Sequence, residues 1–130
     1  MTDQNKAKGV IPNLTMAGRA REAINLWSKA FGAEEVMAFE ENGRIRHAEL
    51  RINGGAVYLT DFSQEPMAAF QPTPSMAMHL EVPDGSDWML RAKTGGCEVM
   101  TPWHQQFWGG FGRIVDPFGI IWNIASPKPN

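Results

Sequence analysis

Three histidines, a His-x-Glu step and an arginine beside a glycine are where this sequence could do chemistry. His79 sits in the mostly apolar run Met76-Ala77-Met78-His79-Leu80. Its imidazole orients a ligand or acts as a base, or else is a strand histidine bonded to a neighbour. His47 and Glu49 are two residues apart and fall on one face if their segment is a strand. Such a pair shuttles protons or forms a surface hydrogen bond. Arg113 follows Gly112; facing a pocket, its guanidinium would receive a carboxylate or phosphate in a two-pronged fork. The competing reading pairs it with Asp116. Trp103, Phe107, Trp108 and Phe111 crowd a stretch that also carries glutamines and glycines. Aromatic rings bury large areas with few rotamers to freeze. This stretch, read as a loop over 103–111, therefore lids a pocket, packs at a dimer seam or fills core. His104, beside Trp103, reads as solvent-exposed. Met76, Met78, Met89 and Met100 suit an adaptable apolar lining or ordinary core.

These side chains need walls to hold them. A chain of 130 residues, 43% hydrophobic, fits one domain with a real core. Its formal charge of −2, with acids and bases interspersed, offers no concentrated basic face for nucleic acid. Cys97 is the single cysteine, so no intrachain disulfide forms and nothing points to an oxidising compartment. No apolar run reaches the ~18 residues that would span a bilayer. Residues 1–9 are polar without an apolar signal core and read as a frayed tail. The expectation is a cytoplasmic protein with neither a membrane nor a nucleic-acid partner.

Val10 to Met16, interrupted by Pro12, reads as a starting or edge strand. From Arg19 to Phe31 the residues Ala20, Ala23, Ile24, Trp27, Ala30 and Phe31 recur at helical spacing, and Gly32 caps them. Glu34 to Phe39 is a strand, and Asn42-Gly43 favours a tight hairpin. A half-buried strand follows through Ile52. Asn53-Gly54-Gly55 then turns into Ala56 to Phe62. Ser63 to Pro74 is a proline-containing linker. The pattern then restarts: strand Ser75 to Val82, helix Gly85 to Thr94, strand Cys97 to Met100, and a loop Thr101 to Gly110. Strands Phe111 to Val115 and Gly119 to Ala125 close it around the turn Asp116-Pro117-Phe118-Gly119. An α+β order β-α-β-β-β thus appears twice, with a repeat of about 60 residues. Two such modules paired edge to edge would curl into a cup, whose inside is the default ligand site.

Arg21-Glu22-Ala23-Ile24, Phe31-Gly32-Ala33-Glu34, His47-Ala48-Glu49-Leu50 and Gly54-Gly55 resemble the first module of the vicinal-oxygen-chelate (glyoxalase/bleomycin-resistance/dioxygenase) superfamily. Gln106-Phe107-Trp108-Gly109-Gly110-Phe111-Gly112-Arg113, followed by Asp116-Pro117-Phe118-Gly119 and Trp122, is similar to its PhnB-like branch. That branch also carries the label of a ubiquinone-precursor methyltransferase. The resemblance covers Ile11 to Ser126. It implies two βαβββ modules, about 10–62 and 75–126, within a single domain over 10–130. It also implies a cup-shaped sheet completed in a homodimer, in some members with modules exchanged between chains.

Enzymes of the superfamily hold a divalent metal with His, Gln or Glu from the first and last strands of each module. The resemblance puts those positions at or near Pro12, Leu59, Ala77 and Asn123, and a slip of register offers Asn13, Asp61 and His79. Neither set is a good site for Zn, Ni or Fe. The expected function is therefore binding of a small, largely apolar or aromatic molecule, without metal or other cofactor. The ligand-binding set is His79, Asp61, Trp103, Phe107, Trp108, Arg113 and Asn123, and the catalytic candidates are His79, His47 and Glu49. The alternative is a metal-dependent lyase, isomerase or dioxygenase. A methyltransferase is the weakest reading, because no glycine-rich strand-to-helix turn is present.

Overall fold

Alternating apolar residues and Asn-Gly turns impose short antiparallel strands, and the computed structural model, which describes residues 6–62 and 73–128, places them in two four-stranded sheets. Chain order is β1 (Asn13–Thr15), α1 (Ala20–Phe31), β2 (Glu34–Glu41), β3 (Arg44–Ile52), β4 (Gly55–Thr60), β5 (Met78–Glu81), α2 (Gly85–Thr94), β6 (Glu98–Gln106), β7 (Gly109–Val115) and β8 (Ile121–Pro127). The sheets run β1-β4-β3-β2 and β5-β8-β7-β6, each with one parallel pair at its β1 or β5 edge. The described residues fall into two compact units, 6–28 with 32–62, and 29–31 with 73–128. This is the twice-repeated β-α-β-β-β order expected from the sequence. The expected linker from Ser63 lies outside the described residues up to position 72, as does the tail up to position 5.

Local chemistry sets the boundaries. Asn42 and Gly43 take φ of 53° and 77°, and Asn53 and Gly54 take 51° and 85°. These left-handed pairs give tight turns whose twist matches the flanking strands. Helix α1 stops at Gly32, also left-handed, whose amide donates to Ser28 while Ala33 N–H donates to the Trp27 carbonyl. The first strand is shorter than the expected Val10–Met16, because it begins only after Pro12, which has no N–H to give a ladder.

In the first unit α1 buries Ala20, Ala23, Ile24 and Trp27, and Arg21 bonds Glu35 and Glu40 of β2. The sheet buries Leu50, Val57 and Leu59 on one face. In the second unit α2 lies against β6, β7 and β8. Gly112 permits that approach, since a Cβ there would come within 2.8 Å of Met89. Trp122 is buried against the Phe31 ring, 4.6 Å between centroids.

Cys97 belongs to this core, and burial, with the Asp116 charge adding to it, pushes its thiol up to about 12. The thiolate is the nucleophile. A disulfide reagent should therefore find no reactive thiol in the native protein and one in denaturant. The unfolded thiol titrates near its ordinary 9.0, so the unfolded state loses its proton first. Stability contributed by the neutral thiol is complete below that pH and declines as pH rises toward 12.

Candidate functional site

Strand register builds the site. On β7 and β8, Gly112, Ile114, Trp122 and Ile124 are buried, while Phe111, Arg113 and Asn123 alternate with them and stand half-exposed on the opposite face. Cross-strand pairing aligns His79 with Asn123, Asn123 with Arg113, and Arg113 with Thr101. The row His79–Asn123–Arg113–Thr101 therefore crosses all four strands on the open face of the second unit's sheet.

Hydrogen bonds give the row a direction. Arg113 Nε donates to Asn123 Oδ1 at 2.8 Å, which leaves the Asn123 amide nitrogen facing His79 Nδ1 at the long distance of 3.5 Å. With Nδ1 accepting, the proton of a neutral His79 lies on Nε2, which sits 2.9 Å from Glu81 Oε1. Beside the polar row lies an aromatic group. The Phe111 ring is 5.9 Å from the Arg113 guanidinium carbon, and His104 and Trp108 each meet Phe111 edge-on at 6.1 Å.

The first unit repeats the register with other residues. Asn13 pairs with Tyr58, Tyr58 with Glu49, and Glu49 with Met37. The bond from Met16 N–H to the Thr60 carbonyl has its counterpart in that from Val82 N–H to the Ala125 carbonyl. Asn13, Tyr58, Glu49 and Met37 thus correspond to His79, Asn123, Arg113 and Thr101. His47 meets Tyr58 edge-on at 4.8 Å, and Glu49 is bonded by Arg51 at 2.8 Å.

Several sequence expectations land elsewhere. Asp61, expected to face the ligand, is 3% exposed. Its carboxylate accepts from the amides of Gly18, Ala20 and Ile45 at 2.8–2.9 Å, capping the start of α1 and tying it to β3. Leu59, one of the four positions singled out by resemblance, is fully buried, and its neighbour Tyr58 takes the half-exposed face. Arg113 bonds Asn123 and not Asp116. The Asp116 carboxylate accepts instead from Phe118 and Ile120 amides and from the Trp122 indole N–H.

The loop expected over Thr101 to Gly110 is a hairpin. β6 continues through Gln106, with its register shift bracketing Pro102, and only Phe107 and Trp108 form the turn. Trp103 packs onto Gly85 and Gly110 on the α2 side of the sheet, away from the row. Phe107 is 85% exposed at the tip, and His104, expected in solvent, is half-buried. Met89 is core, whereas Met76 and Met100 are exposed. Sequence reading missed Glu81 and Tyr58; alternation from His79 and from Glu49's partner strand marks both as sharing the half-exposed face. Among the described residues no three His, Cys, Asp or Glu side chains converge as a metal site would require.

Two βαβββ modules in matching register, each with polar residues on one sheet face, define a glyoxalase-type α+β protein. The chain belongs to the Glyoxalase/Bleomycin resistance protein/Dioxygenase superfamily, whose family model matches residues 14–124. It is 34% identical over 116 residues to an uncharacterized protein of Mycobacterium tuberculosis (strain ATCC 25618 / H37Rv), covering 83% of this chain and 68% of that one. Among solved structures it resembles the PhnB protein from Bacillus cereus, with a TM-score of 0.71 at 20% identity over 92% of this chain and 99% of that one. It also resembles the fosfomycin resistance protein FosX from Listeria monocytogenes, with a TM-score of 0.68 at 12% identity over 95% and 96%. At these identities the solved structures bear on the fold alone.

Proposed function

We propose that the chain binds a small, largely apolar or aromatic molecule on the open face of the β5–β8 sheet, without a family-type metal site. The observation that carries this reading is the polar row Arg113–Asn123–His79 set beside the Phe111, Trp108 and His104 rings. Polar groups that fix orientation beside aromatic surface are the ordinary make-up of a small-molecule site. Bleomycin resistance, named in the superfamily's description, supports a drug-sized ligand.

Support for a metal-free site comes from the donor set. Asn123 Oδ1, the one donor on β8 at a family position, already accepts from a guanidinium. A cation at that distance opposes a second, divalent one. We place the protein in the cytoplasm as a homodimer. Val36, Met37 and Phe39 on the edge strand β2, and Val99 and Met100 on the edge strand β6, are apolar edges that a second copy would cover.

A fluorescence titration with the neutral dye N-phenyl-1-naphthylamine tests both parts. Chelator-stripped protein should bind the dye saturably, and Phe111→Ala should weaken binding roughly tenfold, the scale of one aromatic contact. Incubation with Ni, Zn, Fe(II) or Mn should leave the curve unchanged and no metal retained. Stoichiometric metal retention, lost in His79→Ala, would sink the metal-free reading in favour of a metal-dependent lyase, isomerase or dioxygenase.

A further inference from the structure

Arg19, Arg21, Arg46, Arg51 and Arg91 are each held by a carboxylate. Arg113 is not: its one hydrogen bond among the described residues runs from Nε to Asn123 Oδ1. Both Nη atoms therefore lack an acceptor among the described residues, and neither is an unpartnered atom sealed from solvent. Committing Nε to Asn123 fixes the guanidinium plane and leaves the two Nη donors for another acceptor. Thr101, directly across the strand pair and half-buried, brings to the same side a hydroxyl with no hydrogen bond among the described residues. Phe111 and Trp108 supply apolar surface next to it.

We infer that the ligand is an organic anion, a carboxylate, sulfonate or phosphonate on an aromatic or apolar body, with its charged oxygens held by the Nη atoms of Arg113 and the hydroxyl of Thr101. This rests on the binding site proposed above and adds the charge of its ligand. A half-buried guanidinium without a counter-charge is costly to desolvate, and an oxyanion of the ligand offsets that cost with short, charge-assisted bonds. Asn123 is a positioning residue: it orients the guanidinium through Nε and leaves the ligand to the Nη donors. Glu81 lies beyond His79 at the far end of the row, so the charge of the face changes sign along it. An anion is therefore seated at the Arg113 end.

Two dyes with one aromatic body make the test. 8-Anilino-1-naphthalenesulfonate carries a sulfonate, and N-phenyl-1-naphthylamine does not. Wild-type protein at low salt should bind the sulfonate at least tenfold more tightly than the neutral dye. Arg113→Met should cut sulfonate affinity tenfold or more, a factor at least threefold larger than its cost to the neutral dye. Thr101→Val and Arg113→Lys, which keeps the charge without the fork, should each cost the sulfonate roughly threefold. They answer the question if Arg113→Met melts early. Equal affinity for the two dyes, or sulfonate binding indifferent to all three variants, would overturn the anionic ligand and leave the binding site standing. Failure of both dyes to bind would remove the site and the inference together.

Discussion

Asp61→Ala should lower the unfolding free energy by about 3–5 kcal/mol, the largest single effect of any substitution on the polar residues described, read by denaturant titration. The carboxylate accepts from three backbone amides that lie in three different places: the turn before α1, the first residue of α1, and the start of β3. Helix α1 has no side-chain cap of its own, since Arg19 occupies the cap position without bonding the helix end. Alanine leaves these donors buried without acceptors, each at a cost of about 1–3 kcal/mol, less whatever local relaxation recovers. Against a typical total of about 5–15 kcal/mol this is a large share, and the melting temperature should fall by roughly 10–15 °C. Asp61→Asn, keeping one carbonyl oxygen, should fall between alanine and wild type. Glu22→Ala, which removes an exposed pair with Arg19, should unfold at the same denaturant midpoint as the wild type within error. If Asp61→Ala melts with the wild type, the carboxylate does not hold α1 in place.

The second large effect is steric. A Cβ on Gly110 would overlap the Trp103 indole, and one on Gly85 would overlap the same ring. Gly110→Ala should destabilise by about 3 kcal/mol, the upper end of the overpacking range, because a ring between two backbone segments cannot retreat. Trp103→Ala alone should cost about 2–3 kcal/mol for the lost packing. The two changes share one space, so the double variant should be less destabilised than their sum by about 2 kcal/mol. Additive losses would mean that the indole is not seated on Gly110.

The same pair explains where sequence reading stopped. Asn42-Gly43, Asn53-Gly54, the apolar face of α1 and the bounds of α2 are local signals, and the structure follows them. Trp103 and Gly110 are not local: the strand continues through Pro102 and Trp103 because glycines on β7 and α2 make room for the ring. Pro102 is tolerated because β6 is a sheet edge with a register shift around it. Read alone, Thr101 to Gly110 has the composition of a turn.

Asp61 was illegible for a related reason, since two of its three partners lie more than 40 positions away. The Arg113–Asn123 bond depends on β7–β8 register. Asp116, nearer in sequence, is committed to its own turn and to Trp122. His79 and Asn123 were legible individually, but their junction with Arg113 through one row required the strand order.

The pleat has a consequence for how such a protein can change. Arg113 stands between Gly112 and Ile114, Asn123 between Trp122 and Ile124, and Glu49 between Ala48 and Leu50, each flanking residue buried. Exchanging a row residue alters one face of a strand without displacing its neighbours on the other. The two rows differ at all four positions over a common register, and the buried positions between them differ as well, Leu50 against Ile114 and Val57 against Trp122, but those stay apolar while the rows change in charge and polarity. The half-exposed row is thus separable from the residues that fold the sheet. Randomising Thr101, Arg113, Asn123 and His79 together should yield mostly folded proteins, and the second sheet is a ready starting point for selecting new receptors.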